Sequence, residues 1–260
     1  MTTTLDEILT VTRRNLASAK SATRLRELEK RAEAHRPRGF KKVLAERAQS
    51  GTAIIAELKK ASPSKGLIRA DFDPATLARE LEAAGAAALS VLTEVPHFLG
   101  SLENLQQASE AVKIPCLRKD FIVDPIQVVE ARAHGADAIL LIVAALEDQE
   151  LHHLHHEAKA LGLDVLCEVH ERDELKRAAY LGFDLIGVNN RDLKTLHVDM
   201  ENSLRFPKDF PPNVFRVAES GIDGPATIKR LQTAGYKAFL IGECLMRADS
   251  PGAALRELLA

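Results

Sequence analysis

The chain has 260 residues, of which 46% are hydrophobic and 28% are charged, and its formal net charge at neutral pH is −2. This composition is typical of a folded globular protein and excludes a disordered chain. A charge balance so close to neutral provides no general basic field for nucleic acid or an anionic membrane, so we expect neither as a partner. An anionic ligand would have to be bound by a few local donors.

The first 50 residues stand apart from the rest of the chain. Helical spacing predicts helices over Leu5–Ala19 and Thr23–Ala34, and a third, short helix that ends near Gln49. This part of the sequence has no apolar run of the kind found in secretion signals. We interpret residues 1–50 as an N-terminal helical extension packed on a unit formed by residues 51–260, with a single domain overall.

From residue 51 onward, one pattern repeats: a short apolar strand, a polar loop and an amphipathic helix. Eight strands are predicted, near residues 53–57, 86–92, 114–118, 138–143, 163–167, 184–188, 214–218 and 238–242. Helices are predicted over 74–84, 99–112, 125–134, 147–161, 171–181, 224–234 and 251–259, and the connection at 200–206 is only weakly helical. This spacing predicts an α/β protein with a (β/α)₈ TIM barrel.

Glycines mark the turns from helix to strand in this repeat. A glycine in the left-handed conformation is a common way to end a helix. The glycines that precede predicted strands are Gly85, Gly135, Gly162, Gly182 and Gly235. An open, doubly wound sheet shares the same alternation, but it would usually carry a glycine-rich fingerprint after its first strand, where this chain has Glu-Leu-Lys-Lys-Ala-Ser.

The first predicted strand of the repeat ends in charged residues. Alternation places Ile55, Glu57 and Lys59 on one face, so a carboxylate and an ammonium point in the direction of the core. Burying such charges is costly unless they are paired or used. A polar loop over residues 60–73 follows, and we expect it to close over the site with Gly66 as a hinge.

Polar side chains also follow the third, fifth, sixth and seventh predicted strands. In chain order they are Lys119, Glu168, Asn189, Arg191 and Glu219. Because active sites of β/α barrels lie at the carboxyl ends of the strands, we expect these groups to meet at one mouth. Acids and bases held close together shift one another's pKa values, which separates proton donors from proton acceptors.

Two glycine turns follow the seventh and eighth predicted strands. They are Ser220-Gly221 and Gly242-Glu243. Barrels commonly bind phosphate at these two strand ends through backbone N–H groups, and glycine allows the backbone to approach the anion closely. The turns therefore predict a phosphorylated substrate.

Four histidines, His152, His153, His155 and His156, lie in the helix after the fourth strand. A metal site is not favoured there, because the helix is far from the mouth and the sequence offers no further ligands. No metal is predicted.

The three cysteines, Cys116, Cys167 and Cys244, are widely spaced and odd in number. We interpret them as reduced core thiols, which indicates a cytoplasmic protein.

Several of these segments together resemble indole-3-glycerol phosphate synthases of tryptophan biosynthesis. The resemblance spans nearly the whole predicted barrel and includes the N-terminal extension. The segments that carry it are Ile55–Ser64, Leu117–Val123, Cys167–His170, Ile186–Leu193, Ala218–Ile222 and Ile241–Met246.

The resemblance implies that 1-(2-carboxyphenylamino)-1-deoxyribulose 5-phosphate is converted to indole-3-glycerol phosphate, carbon dioxide and water. It implies no cofactor, because no electrons leave the substrate. Lys119 resembles the general acid and Glu168 the base, and Lys59 is implicated in the dehydration. Glu57 is expected to orient Lys119, and Asn189 to hold the developing hydroxyl and amine groups.

Further roles follow from the same resemblance. Glu219 corresponds to an additional carboxylate of the site, and Ser62 and Arg191 to substrate-binding residues. Phosphate contacts are expected from Ser220, Gly221, Gly242 and the backbone N–H of Glu243. Phe121, Leu140 and Leu240 are the candidates for packing on the anthranilate ring, with core packing as the alternative.

Another phosphate-binding barrel enzyme, such as a phosphoribosylanthranilate-type isomerase, is the main alternative. Such an isomerase typically has Cys or Asp at the first strand end, where this chain has Glu57 and Lys59. A barrel retained only for binding is disfavoured by the presence of Lys119 and Glu168. We expect a monofunctional enzyme, because the chain ends at Ala260 directly after the eighth helix, and we expect a monomer.

Overall fold

The computed structural model describes residues 4–19 and 22–260, so residues 1–3, 20 and 21 of the predicted N-terminal extension lie outside the described residues. Eight parallel strands form a closed barrel, which confirms the predicted fold class. They are β1 Ala53–Leu58, β2 Ala88–Leu92, β3 Cys116–Lys119, β4 Ala138–Ile142, β5 Asp164–Val169, β6 Leu185–Asn189, β7 Phe215–Glu219 and β8 Ala238–Ile241. Each strand pairs with its neighbour in sequence, and β1 pairs with β8 to close the barrel.

Three helices precede β1, and the others connect or follow the strands. They are α1 Thr4–Ala19, α2 Ala22–Ala34, α3 Phe40–Ser50, α4 Pro74–Ala84, α5 Leu102–Ala111, α6 Pro125–Ala133, α7 Asp148–Ala160, α8 Arg172–Tyr180, α9 Asn202–Arg205, α10 Pro225–Thr233, α11 Glu243–Arg247 and α12 Pro251–Leu259. The weakly helical connection after β6 is the single turn α9. None of the described helices is long and apolar enough to cross a membrane.

The loop after β1 differs from the expectation. Ala61–Ser62 and Gly66–Leu67 pair as a short antiparallel hairpin, and Gly66, which directly follows the turn, has a φ of 64°. The carbonyl of Lys60 also accepts hydrogen bonds from the N–H groups of Ile68 and Arg69. The segment that was predicted as a hinged loop is therefore tied together by its own backbone.

Local sequence signals explain where the helices begin and end. Asp and Ser side chains accept hydrogen bonds from the first-turn N–H groups of four helices, which satisfies donors that have no partner within the helix. These caps are Asp73, Ser101, Asp124 and Ser250. The glycines predicted to end helices all have positive φ: 104° at Gly85, 84° at Gly135, 71° at Gly162, 79° at Gly182 and 96° at Gly235.

Alternation along the strands separates two hydrophobic layers. Ile54, Ala56 and Leu58 of β1 pack in the layer between barrel and helices, whereas Ala53 and Ile55 belong to the core inside the barrel. Glu57 is two residues after Ile55 and therefore lies on the same face of β1. Its carboxylate points to the inside of the barrel, near the carboxyl end of the strand.

The N-terminal helices complete the inner core at both ends of the barrel. Phe40 and Leu44 of α3 are fully buried in it, and Leu5 and Ile8 of α1 belong to the same cluster and line the cavity at the mouth. Fully burying one such side chain stabilises the fold by about 1.5–3 kcal/mol.

An ion pair between Arg38 and Asp137 fastens α3 to the end of the barrel at which the strands begin, which we call the lower end. Arg38 uses all of its guanidinium nitrogens, with donors to both oxygens of Asp137, to the hydroxyl of Ser109 and to backbone carbonyls. Asp137, which directly precedes β4, is fully buried and also accepts from the backbone N–H of Cys116 at 2.6 Å. We call Arg38, Asp137 and Ser109 the lower cluster.

Candidate active site

A cavity of about 920 Å³ opens at the carboxyl ends of the barrel strands. Its volume lies within the usual range of small-molecule sites. Every site residue that the sequence predicted lines this cavity: Glu57, Lys59, Ser62, Lys119, Phe121, Leu140, Glu168, Asn189, Arg191, Glu219, Ser220, Gly221, Leu240, Gly242 and Glu243. The structure therefore brings together groups that are spread over nearly 190 positions of the chain.

Lys119 lies at the centre of the charged groups in the cavity. Its Nζ is 2.8 Å from Oε2 of Glu168 and 3.4 Å from Oε2 of Glu219. Burial opposes the ammonium charge, but the carboxylates of Glu168, Glu219 and Glu57 raise the pKa of Lys119 above its ordinary value. At neutral pH the side chain is a charged donor, held at the end of β3 with 13% of its surface exposed.

The second lysine of the cavity is paired with the carboxylate at the end of its own strand. Nζ of Lys59 is 2.6 Å from Oε1 of Glu57, and Glu57 itself is buried. Gly242 makes room for this pair, since a Cβ at that position would overlap the Glu57 carboxylate. We call Glu57, Lys59, Lys119, Glu168 and Glu219 the mouth cluster.

Two neighbouring carboxyl groups of the mouth cluster differ in protonation. Burial opposes the charge of Glu168, yet Lys119 and His170 hold its pKa below the ordinary range. Burial and the nearby Glu168 carboxylate raise the pKa of Glu219 to about 8. At neutral pH the Glu168 carboxyl is thus ionised, whereas the neighbouring Glu219 carboxyl keeps its proton. Glu168 can then accept a proton and Glu219 can donate one.

Glu219 is buried, and neither of its oxygens has a hydrogen-bond partner. Gly187 on β6 creates the space for it, because a Cβ there would overlap the Glu219 carboxyl. A buried polar group without a partner is costly and is therefore uncommon outside functional sites. Ser62 shares this property, since its hydroxyl is buried and unpaired at the cavity wall.

The turn after β7 has an unusual backbone conformation. Ser220 and Gly221 both have positive φ, 64° and 76°. This conformation is strained for serine, and strained backbone of this kind clusters at functional sites. Asn190 holds the turn through a 3.1 Å hydrogen bond to the carbonyl of Ser220, and side chains of Val198 and Met200 leave no room for a Cβ at Gly221.

The Glu243 carboxylate has partners that sequence reasoning did not anticipate. It lies 3.2 Å from Nε of Arg247, 3.6 Å from Nη2 of Arg191 and 3.9 Å from Nζ of Lys65. Arg191 is held further by the carbonyl of Leu196 at 2.9 Å. Glu243 therefore partly neutralises the cations at the end of the cavity where the two glycine turns lie.

Part of the cavity wall is apolar. Phe121, Leu140 and Leu240, which the sequence predicted, are joined there by residues that it missed: Leu5, Ile8, Leu92, Phe98, Ile142 and Leu193. The ring centroids of Phe98 and Phe121 are 6.5 Å apart. A planar, apolar ligand would find contact area on this part of the wall.

Phe98 lies in the loop between β2 and α5, where no periodic pattern marks it. The carboxylate of Glu94 accepts hydrogen bonds from the N–H groups of His97 and Phe98, at 2.8 and 3.0 Å, and so shapes the turn. Acidic residues that open a tight turn are a usable signal, but this signal predicts only the turn and not its aromatic contact.

His170 is the other group that sequence reasoning missed. It follows Glu168 by two residues, and that parity could have placed both on the same side of the chain. In the structure Nε2 of His170 lies 3.3 Å from Oε1 of Glu168.

The remaining sequence interpretations concern the three cysteines and the histidines of α7. Cys116 and Cys167 are buried, as expected, but Cys244 is only half-buried and lines the cavity. His152, His153 and His156 are exposed on α7, whereas the half-buried His155 stacks on Phe183 at 4.3 Å. Among the described residues, no group of three or more potential metal ligands forms.

Sequence comparisons identify the family to which this arrangement belongs. The family model for indole-3-glycerol phosphate synthase matches residues 5–258. The chain belongs to the indole-3-glycerol phosphate synthase family. Like the other members, it is a carboxy-lyase of tryptophan biosynthesis.

Individual indole-3-glycerol phosphate synthases match over the whole length. That of Koribacter versatilis is 71% identical over 259 residues and covers 100% of both chains. The synthase of Rhizorhabdus wittichii is 49% identical, covering 100% of this chain and 99% of its own. That of Salinibacter ruber is 48% identical, with 98% and 95% covered.

More distant solved structures share the fold alone. A thiamine phosphate pyrophosphorylase from Pyrococcus furiosus is 16% identical, has a TM-score of 0.58 and covers 81% of this chain and 95% of its own. A 3-hexulose-6-phosphate synthase is also 16% identical, with a TM-score of 0.62 and coverages of 80% and 98%.

Proposed function

We propose that the cavity converts 1-(2-carboxyphenylamino)-1-deoxyribulose 5-phosphate to indole-3-glycerol phosphate, carbon dioxide and water, with Lys119 as the general acid. The observation that carries this proposal is the position of Lys119, whose mostly enclosed ammonium lies in the cavity 2.8 Å from a carboxyl oxygen of Glu168 and 3.4 Å from one of Glu219. Apolar side chains and the two glycine turns line the same cavity, as a substrate with an aromatic ring and a phosphate requires.

Ring closure is the first step. The aromatic carbon that bears the carboxylate attacks the ribulose carbonyl, and the carbonyl oxygen takes a proton from Lys119. The ring nitrogen carries the positive charge that forms. The carboxylate then leaves as carbon dioxide, and its bonding electron pair restores the aromatic ring.

Dehydration follows. The new hydroxyl leaves as water after a second proton is donated to it, and a proton leaves the methylene carbon of the five-membered ring. Overall one proton is taken up from solvent, because the departing carbon dioxide is neutral. Lys59 is the proposed donor in this step and Glu168 the base, a division supported by the low pKa of the Glu168 carboxyl.

The other polar groups of the mouth have positioning roles in this proposal. Glu57 orients the lysines, which is supported by its 2.6 Å contact with Nζ of Lys59. Asn189 and the protonated Glu219 bind hydroxyl and amine groups of the substrate and its intermediates, and the unpaired oxygens of Glu219 support this role.

At the two ends of the cavity the substrate is held by different forces. Phosphate is bound by the backbone N–H groups of Ser220–Gly221 and Gly242–Glu243 together with Lys59 and Arg191, and Ser62 contributes its free hydroxyl. The anthranilate ring packs on Phe121, Leu140 and Leu240. The left-handed turn at Ser220 and Gly221 supports the first assignment, and the apolar lining supports the second.

The decisive measurement is turnover of the carboxyphenylamino-deoxyribulose phosphate by purified protein, followed by indole fluorescence, with Lys119→Ala alongside. We expect the variant to lose at least about two orders of magnitude in kcat/KM. Lys176→Ala, on the exposed surface of α8, is the matched control. Activity that survives in Lys119→Ala would move the acid to Lys59, and no turnover by folded wild type would refute the proposed reaction.

We propose further that the protein is a cytoplasmic monomer in which the N-terminal helices and the barrel form one domain. The shared inner core of α1, α3 and the strands supports the single domain. Light scattering tests the monomer, cell fractionation tests the cytoplasmic location, and a single unfolding transition by fluorescence and circular dichroism tests the domain.

A further inference from the structure

His170 lies behind the cavity and does not line it. It lies at the turn between β5 and α8, two residues after Glu168, and 10% of its side chain is exposed. Nε2 is 3.3 Å from Oε1 of Glu168, and Nδ1 is 3.4 Å from Oε2 of Glu174 on α8. The backbone N–H of His170 also donates to Glu174 at 2.6 Å. The imidazole is therefore held between two carboxylates, one of which belongs to the mouth cluster.

The two oxygens of Glu168 have different positive partners. Oε2 faces the ammonium of Lys119 at 2.8 Å, and Oε1 faces His170. Contacts on both oxygens restrict rotation of the carboxylate, so its direction relative to the cavity is set from two sides. Asn202 strengthens this arrangement because its side-chain amide donates both to the carbonyl of His170 and to that of Asn189.

Proton transfer by Lys119 would leave Glu168 short of positive charge. Once Lys119 has donated its proton it is neutral, and Glu168 is then a buried carboxylate beside Glu219. A buried carboxylate without a countercharge tends to take up a proton. The second cation, His170, remains charged through that interval because it does not reach the substrate.

We propose that His170 is a positioning residue that keeps Glu168 ionised and oriented while Lys119 is without its proton. This inference rests on the proposed role of Glu168 as the base. His170 is not a catalytic residue in this scheme, because it touches neither the substrate nor the reacting atoms.

The charged groups around the pair are consistent with this role. Glu168 faces Lys119 from β3 and Glu219 from β7, while His170 faces Glu174 from α8, and Glu57 on β1 acts on Lys119 and Glu219 from further away. Burial opposes the charge on His170, but Glu168 and Glu174 raise its pKa to about 10.

The test is the pH profile of kcat for His170→Gln, which keeps a donor of similar size but removes the charge. On the acid side of the profile, kcat falls because Glu168 becomes protonated. In the variant this fall, the acid limb, should occur at a pH higher by about one unit or more, while KM stays within about twofold of wild type. The loss of kcat should be confined to acid pH, where Glu168 becomes protonated in the variant, and raising the pH toward neutrality should restore it. His134→Gln, at a buried histidine whose Nδ1 is bonded to the carbonyl of Glu130, is the matched control and should leave the limb in place.

A uniform loss of kcat at every pH, with the limb unmoved, would show a purely structural role and overturn the inference. Should His170→Gln fail to fold, Glu174→Gln provides the second variant. It leaves the imidazole in place and removes one of its two anions, so we expect a smaller shift of the limb in the same direction.

An NMR titration of the imidazole nitrogens separates this inference from the proposed reaction, since it needs no turnover. His170 should remain protonated above pH 8 in the ligand-free protein and titrate at lower pH in Glu168→Gln. A neutral His170 at pH 7 in the wild type would overturn the inference even if the enzyme turns over substrate. Failure of turnover in the wild type would instead refute the proposed reaction.

Discussion

The barrel has a buried ionic cluster at each end, and the two are satisfied to very different degrees. In the lower cluster, every guanidinium nitrogen of Arg38 and both oxygens of Asp137 have hydrogen bonds. In the mouth cluster, neither oxygen of Glu219 has a hydrogen bond, and the carboxyl groups of Glu168 and Glu219 both lie against Lys119. An ion pair whose polar atoms all have hydrogen bonds stabilises the fold. A cluster with unused hydrogen-bonding groups can instead bind a ligand through them.

Loss of Arg38 should have the largest effect on stability. Arg38→Ala leaves the fully buried Asp137 without its guanidinium partner, and we expect the free energy of unfolding to fall by about 3–5 kcal/mol. Urea denaturation measures it. Arg205→Ala is the control, because its ion pair with Asp199 has the same 2.7 Å N–O distance but is exposed, so its loss should cost less than about 1 kcal/mol. If both variants lost the same free energy of unfolding, the Arg38–Asp137 pair would stabilise the fold no more than the exposed Arg205–Asp199 pair.

Glu219→Gln should act in the opposite direction at the mouth. The folded protein keeps a proton on Glu219 up to about pH 8, whereas the ordinary pKa is 4.5, so stability from this group is complete below pH 4.5 and is lost as the pH rises through 8. The neutral glutamine does not incur this loss. Its unfolding free energy relative to wild type should therefore rise between pH 5 and pH 8, by about 1–3 kcal/mol, while turnover falls.

Urea denaturation at several pH values measures the difference between Glu219→Gln and wild type. Glu201→Gln, on the exposed surface, is the control and should show no comparable slope. A difference that stays constant with pH would mean that Glu219 is already ionised at neutral pH.

Gly242→Ala tests how closely the mouth cluster is packed. The added Cβ would displace the carboxylate of Glu57 and with it Nζ of Lys59, so we expect kcat/KM to fall about tenfold with little change in stability. Gly224→Ala is the matched control, because a Cβ at Gly224 meets nothing within 4 Å. Steady-state kinetics of both variants measure the effect. Equal kcat/KM in Gly242→Ala and Gly224→Ala would show that catalysis does not depend on where the Glu57 carboxylate lies.

The smallest expected effect concerns Glu243. Glu243→Gln frees Arg191 and Arg247 from a carboxylate, so inorganic phosphate should inhibit turnover several-fold more strongly than it inhibits wild type. The difference should shrink at high salt, because the groups are partly exposed. Inhibition constants at low and high ionic strength measure it, and unchanged inhibition would place phosphate away from these cations.

Most of the fold and the residues of the mouth could be predicted from the sequence. Period-2 alternation along a strand determines which residues point inward, and a barrel brings all the carboxyl ends of its strands to one mouth. For that reason Glu57, Lys119, Glu168 and Glu219 were identified without any distance information. Their roles in the reaction remain proposals.

What the sequence could not predict depends on contacts between distant parts of the chain. Leu5 and Ile8 line the cavity because α1 packs on the mouth, and no periodicity states where an extension docks. The pairing of Glu243 with Arg191 likewise depends on side-chain directions across two loops. The hairpin after β1 was missed because two-residue strands are too short to show alternation.

The pairing of β1 with β8 has a consequence for how the protein comes into being on the ribosome. Residues Ala53–Ala56 can pair with Ala238–Ile241 only after these later residues have been synthesised, and α1 joins an inner core that includes Leu240. A nascent or prematurely terminated chain therefore has an unclosed sheet edge and no Gly242 beside Glu57. The site can therefore assemble only after β8 and Gly242 have been synthesised, and a chain truncated before β8 lacks the complete site.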